Sequence, residues 1–92
     1  MEKLESTYSE EEQAWFTPKV LLQRDIYLSI SLKTPGKVVI RQETANGEFP
    51  RVPIKRHKDC SEFRFRISII PPSLMIQIFT STEPKDIMYG YI

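Results

Sequence analysis

Two stretches of this chain alternate apolar and polar residues at every step, and that alternation restricts its fold more than any other feature. In one, Ile26, Leu28, Ile30 and Leu32 are separated by Tyr27, Ser29 and Ser31; in the other, Phe63, Phe65, Ile67 and Ile69 are separated by Arg64, Arg66 and Ser68. A period of two sends successive side chains to opposite faces of an extended backbone, so each stretch predicts a strand with one buried and one wetted face. Most of the apolar positions are β-branched or aromatic, which favours a pleated surface over a helix.

Turn residues between such runs set the expected pairing. Thr34-Pro35-Gly36 reads as a three-residue hairpin loop, because proline presets φ and glycine accepts a positive φ. That loop puts Leu32 opposite Val38 and Ile30 opposite Ile40, all facing inward. A second loop, Ala45-Asn46-Gly47 with Gly47 left-handed, pairs Ile40 with Val52 and Val38 with Ile54, whereas a two-residue Asn-Gly turn would scramble the faces. Pro50 and Pro53 each remove a ladder donor, so the strand over 48–55 is expected to be irregular. Residues 55–61, KRHKDCS, read as a polar connection. A four-residue loop from Ile70 to Ser73 then sets Ile69 against Leu74, Ile67 against Ile76 and Phe65 against Ile78. The run 87–92 predicts a last strand, with Gly90 at a bulge or a close approach.

Together these features predict a mainly β fold, an antiparallel meander of six or seven strands closing as a small barrel or half-barrel. In its up-and-down order, with Trp15 ahead of the first strand, the chain is similar in topology to lipocalin-like barrels, although it carries no motif of that family. Residues 1–17 read as a separate acidic N-terminal helix or tail. Ser9 and Glu12 have capping-box spacing, Leu4, Tyr8 and Trp15 fall near one helical stripe, and Pro18 would end the helix by restricting Thr17. Residues 18–92 read as a single β domain.

With 92 residues, 40% of them hydrophobic and 27% charged, the chain has enough apolar surface for one small core. Cys60 is its sole cysteine, so no intramolecular disulfide can form. The N-terminus lacks the apolar run of a signal peptide and no stretch is long enough to span a bilayer, so a cytoplasmic protein without membrane contact is expected. The net charge of +1 conceals a division: Glu2, Glu5, Glu10, Glu11 and Glu12 against Lys3 make the first 18 residues net negative, and the remainder is basic.

Chemistry-bearing patterns are sparse. His57 and Cys60 stand three apart, but a structural zinc wants four ligands and a cysteine nucleophile wants its histidine oriented by a third group. No phosphate-cradling glycine loop, nucleophile elbow or paired-histidine motif is present. No catalytic residue, metal or cofactor is therefore expected, and an enzyme is not. Two surfaces stand out instead. Outward parity gathers Lys37, Arg41, Arg51, Lys55, Arg64 and Arg66 into a basic face, with Tyr27 or Phe49 as stacking surfaces for a base. Met75 and Phe79 also face outward, and the last strand is apolar on both sides through Ile87, Met88, Tyr89 and Tyr91. A strand apolar on both sides needs a cover, from the N-terminal helix, from closure of the barrel by the first strand, or from an interface with a second copy or a partner protein. The leading expectation is a non-catalytic binding or accessory module working through protein contacts, homodimerisation included. Polyanion or nucleic-acid binding is the alternative. A carrier for a small apolar ligand is a third, opposed by the bulk of Phe63, Phe65, Ile67, Ile69, Ile76 and Ile78 in so short a barrel.

Overall fold

Inward and outward residues alternate in one parity from Ile26 to Leu32 and again from Val38 to Gln42, and both runs belong to one 18-residue strand, Ile26–Glu43, the longest among the described residues. The computed structural model describes residues 1–44, 46–49, 51–69 and 73–92. Among them eight strands make one antiparallel sheet curled into a half-barrel: β1 (Glu2–Lys3), β2 (Thr7–Ser9), β3 (Ala14–Phe16), β4 (Val20–Leu22), β5 (Ile26–Glu43), β6 (Ile54–Ile67), β7 (Leu74–Thr80) and β8 (Pro84–Tyr91). No helix among the described residues is long and apolar enough to cross a membrane.

β5 is the spine. β6 pairs along one edge of it, from Ile26↔Ile67 to Ile40↔Ile54. Along the other edge β8 and β7 lie end to end, Tyr91 to Pro84 against Ile26 to Leu32 and Thr80 to Met75 against Val38 to Glu43. β3 and β4 continue outward from β7, β1 from β8, and β2 from β3.

The chain therefore does not turn back at Thr34-Pro35-Gly36, where a hairpin was expected; it bends and goes on. An 18-residue strand laid straight would measure ~59 Å at ~3.3 Å per residue, yet the molecule is only 36 Å in its longest dimension. Ile67 pairs with one end of β5 and Met75 with the other, so eight residue steps, reaching ~28 Å at most, join the two ends. The curl is concentrated at the middle of the spine, where the β5–β6 register shifts between Ser31 and Val38 and the opposite edge is interrupted between β7 and β8. Hydrogen bonds stitch the interruption to the spine. The Lys37 amide donates to Ser81 Oγ at 2.7 Å, the Thr82 hydroxyl donates to the Thr34 carbonyl at 2.7 Å, and the Lys33 amide donates to the Glu83 carbonyl at 2.9 Å. Gly36 permits this approach, since a Cβ there would stand 2.5 Å from Thr82 Oγ1 and 2.8 Å from Ser81 Oγ.

Inside the curl lie Leu22, Ile26, Leu28, Ile30, Leu32, Val38, Ile40, Phe63, Phe65, Ile67, Leu74, Ile76, Ile78 and Ile87, all buried. The predicted inward parity of β5, β6 and β7 is thus observed, although several partners differ. Ile40 meets Ile54 rather than Val52, a shift of two residues that preserves the faces, and Val52 lies outside the strands at 84% exposure. Gly47 is left-handed as expected, with φ 84°; Ala45, Pro50 and residues 70–72, on which the two loop expectations also rest, lie outside the described residues. β6 and β7 do not form the expected hairpin but pair with opposite edges of β5. KRHKDCS is part of β6 rather than a connection.

The expected N-terminal helix is not seen. Tyr8 and Trp15 are cross-strand partners in a β2–β3 hairpin, their rings edge to face at 5.3 Å. The capping signal formed nonetheless: the Glu12 amide donates to Ser9 Oγ at 3.2 Å, closing a single turn that Gln13 leaves at φ 52°. One hydroxyl-capped turn is common to helix starts and to tight loops, and here the next residues find a sheet edge to join. At Thr17-Pro18 the edge persists through a side chain. The Ile78 amide donates to the buried Thr17 hydroxyl at 3.1 Å while the Thr17 amide donates to the Ile78 carbonyl at 3.0 Å.

Candidate functional site

The strand that alternation marked most strongly has a free side among the described residues. β6 carries no proline or glycine over its 14 residues and pairs with β5 alone among the described residues. Its other edge has no strand partner among the described residues, although the Lys55 and Phe63 carbonyls accept from the Arg56 and Arg64 side chains, and it is a template on which a further extended segment can hydrogen-bond. Lys55, Arg56, Lys58, Arg64 and Arg66 against Asp59 and Glu62 make this strand basic. Phe63 and Phe65 stack inward with rings parallel at 6.3 Å, and the Arg56 guanidinium lies 4.9 Å from the Phe65 centroid.

An apolar row on the outer face leads to this edge. Phe16, Phe79, Val39 and Lys55 are successive partners across β3, β7, β5 and β6. Phe16 stacks on Phe79 at 6.3 Å, and Arg41 covers Phe79 at 5.0 Å from its centroid. A shallow depression of about 320 Å³ lies here, lined by Val39, Arg41, Pro53, Lys55 and Phe79 among others. Met75 lies farther along β7 on the same outer face, opposite Glu43, which is ion-paired with Lys19 at 2.7 Å.

The residues expected to form one apolar interface are divided by the sheet. Met75, Phe79 and Met88 lie on the outer face, whereas Ile87, Tyr89 and Tyr91 point to the inner side, with Ile87 only 2% exposed. Burial, then the neighbouring Tyr91 and Glu2, raise the Tyr89 hydroxyl above its ordinary value of 10.0. Tyr91 meets Tyr89 edge to face at 6.0 Å and carries Arg24 over its ring at 4.9 Å. The last strand is not an edge along its whole length, because Lys3 and Glu2 pair with Met88 and Tyr89. Cover for these residues comes substantially from the N-terminal segment, as strands rather than as a helix.

The six cations expected to make one basic face also separate. Lys37 is held by Asp59 at 2.7 Å. Arg51 donates to the Ser68 carbonyl at 2.6 Å, and Arg41 lies on Phe79. Lys55 belongs to the Phe79 end of the sheet, while Arg64 and Arg66 flank Ser29 and Tyr27 at the other end. Between the two groups the Ser31 hydroxyl donates to Glu62 at 2.7 Å. That bond, then Arg64 3.4 Å away, holds the Glu62 carboxyl below its ordinary value of 4.5.

His57 and Cys60 sit on β6, and no group of three or more metal-ligating side chains occurs among the described residues. The free β6 edge was not legible in advance because alternation reports which face is buried and is silent on how many neighbours a strand has. Compared with known proteins, the chain matches no family model, no curated protein and no solved structure.

Proposed function

We propose that this protein is a non-catalytic binding module that takes up an extended segment of an acidic partner protein along the free edge of β6. The single observation that carries the proposal is the 14-residue strand that, among the described residues, is paired on one side only. Main-chain hydrogen bonds along such an edge supply affinity, and side chains alternating to either face supply selectivity. Two β6 edges from two copies would set basic strand against basic strand, so the occupant is a different chain, and the basic side chains favour carboxylates opposite them. The Phe79–Val39 row meets the edge at Lys55 and offers the partner's outward apolar residues a place to rest.

Selection of linear peptides from a random display library tests this, with the binding site mapped by amide hydrogen exchange. Acidic peptides are expected to emerge and to slow exchange along β6, and Lys55→Glu with Lys58→Glu is expected to weaken them at least tenfold. No micromolar binder, or protection confined to strands other than β6, would overturn the proposal.

A further inference from the structure

The outer face at the opposite end of the sheet holds a separate, open dish of about 490 Å³. Its position follows from register. Tyr27 lies between Arg66 on β6 and Gly90 on β8, and Ser29 lies between Arg64 and Met88. Arg64 and Arg66, two residues apart on one face, stand roughly 6.8 Å from each other along the strand, while Tyr27 is one strand spacing, ~4.8 Å, to the side. Gly90 leaves the flank of the Tyr27 ring without a wall of its own, and the Met1 side chain lies beyond it, 3.4 Å from where a Cβ on Gly90 would be. Tyr27 is 52% exposed on an otherwise ordered sheet face. Arg66 has no ion pair among the described residues, and Arg64 spends one nitrogen on Glu62 at 3.4 Å and on the Phe63 carbonyl at 3.1 Å.

We infer that this dish binds a nucleotide, free or within a single strand of nucleic acid, with the base stacked on Tyr27 and the phosphate held by Arg64 and Arg66. Each part has its chemical reason. An exposed tyrosine face on a sheet accepts any unpaired base, and two guanidiniums on one side of it supply forked donors to phosphate oxygens. The small Ser29 side chain lets a flat ring settle against the sheet, with the Met1 side chain, which lies over Gly90, as a side wall. A duplex hides its base faces and would gain only the phosphate contacts. The Glu62 carboxylate works against the site by drawing on Arg64, so its removal should strengthen binding. Strand addition at β6 is not required, because the dish lies on the sheet face rather than along its edge.

The test is isothermal titration calorimetry at low salt with uridine monophosphate, adenosine monophosphate and an eight-residue oligouridylate. The wild type is expected to bind these ligands with a measurable heat. Tyr27→Ala should weaken binding about tenfold or more, and Tyr27→Phe, which keeps the ring, should retain it. Arg64→Ala with Arg66→Ala should remove about 0.7 from the salt slope of oligomer binding, the share of one phosphate contact, and Glu62→Gln should tighten binding severalfold. Oligomer binding much tighter than that of either monophosphate identifies a single strand as the ligand, and equal affinities identify the free nucleotide. Absence of wild-type binding at low salt, or binding indifferent to both Tyr27→Ala and the double arginine variant, would overturn the inference.

Discussion

The half-barrel has two rims, and they are built in opposite ways. One is β6, a single basic strand of 14 residues whose pairing with β5 shifts register between Arg56 and Glu62. The other is pieced together from β1, β2 and β4, of two, three and three residues, with acidic residues in and between the pieces. Short, interrupted, charged edges are how sheets avoid pairing with strangers, and the N-terminal rim has all three properties. β6 has charge and an irregularity in its ladder between Arg56 and Glu62, but not shortness. Protection by like charge rejects another basic strand and invites an acidic one, so the two rims differ in what they exclude.

The contrast depends first on the bend that sets the rims apart. Gly36→Ala would force a Cβ into Ser81 and Thr82; a loss of about 1–3 kcal/mol in chemical denaturation is expected, and unchanged stability would mean the bend has another origin. The N-terminal rim can be attacked next at its buried joint. Thr17→Val keeps the shape but leaves the Ile78 amide without its acceptor, so a loss of about 1–2 kcal/mol is expected by the same measurement, with faster hydrogen exchange at Ile78. The smallest effect probes β6. Ser31→Ala removes the strongest influence lowering the Glu62 carboxyl, whose titration followed by NMR should move back toward 4.5. Because the folded value is the lower one, the stabilisation it gives is present above the ordinary carboxyl value and disappears as pH falls through the folded value. In the variant that acid-side dependence should flatten.

Parity explains both what was legible in the sequence and what was not. Even-numbered residues of β5 face inward whether the chain reverses at Thr34-Pro35-Gly36 or runs on, so the buried set was readable while the hairpin was wrong. Likewise Ile40 keeps its face against Ile54 as it would against Val52, two residues away. Neighbour choice is another matter: Ile67 and Ile76 look like hairpin partners in sequence, and only the curl of β5 brings its two ends within reach of one short connection. Ser9 and Glu12 gave a correct hydrogen bond in the wrong element, since a capped turn does not say whether a helix or a strand follows. Of the candidate surfaces, the outward side chains were foreseeable residue by residue. Their grouping was not, because a curled sheet points its two ends in different directions.

The placement of β1, β3 and β4 bears on how the molecule is made. Their partners on the main sheet are β7 and β8, so a ribosome releases the first 22 residues long before residues 74–91, against which they dock, exist. Until then the early segment has only its own β2–β3 hairpin, and the β5–β6 pair must wait with one flank bare. Such late closure over distant partners makes for slow maturation and a long interval in which greasy surface is open to chaperones or to misassembly.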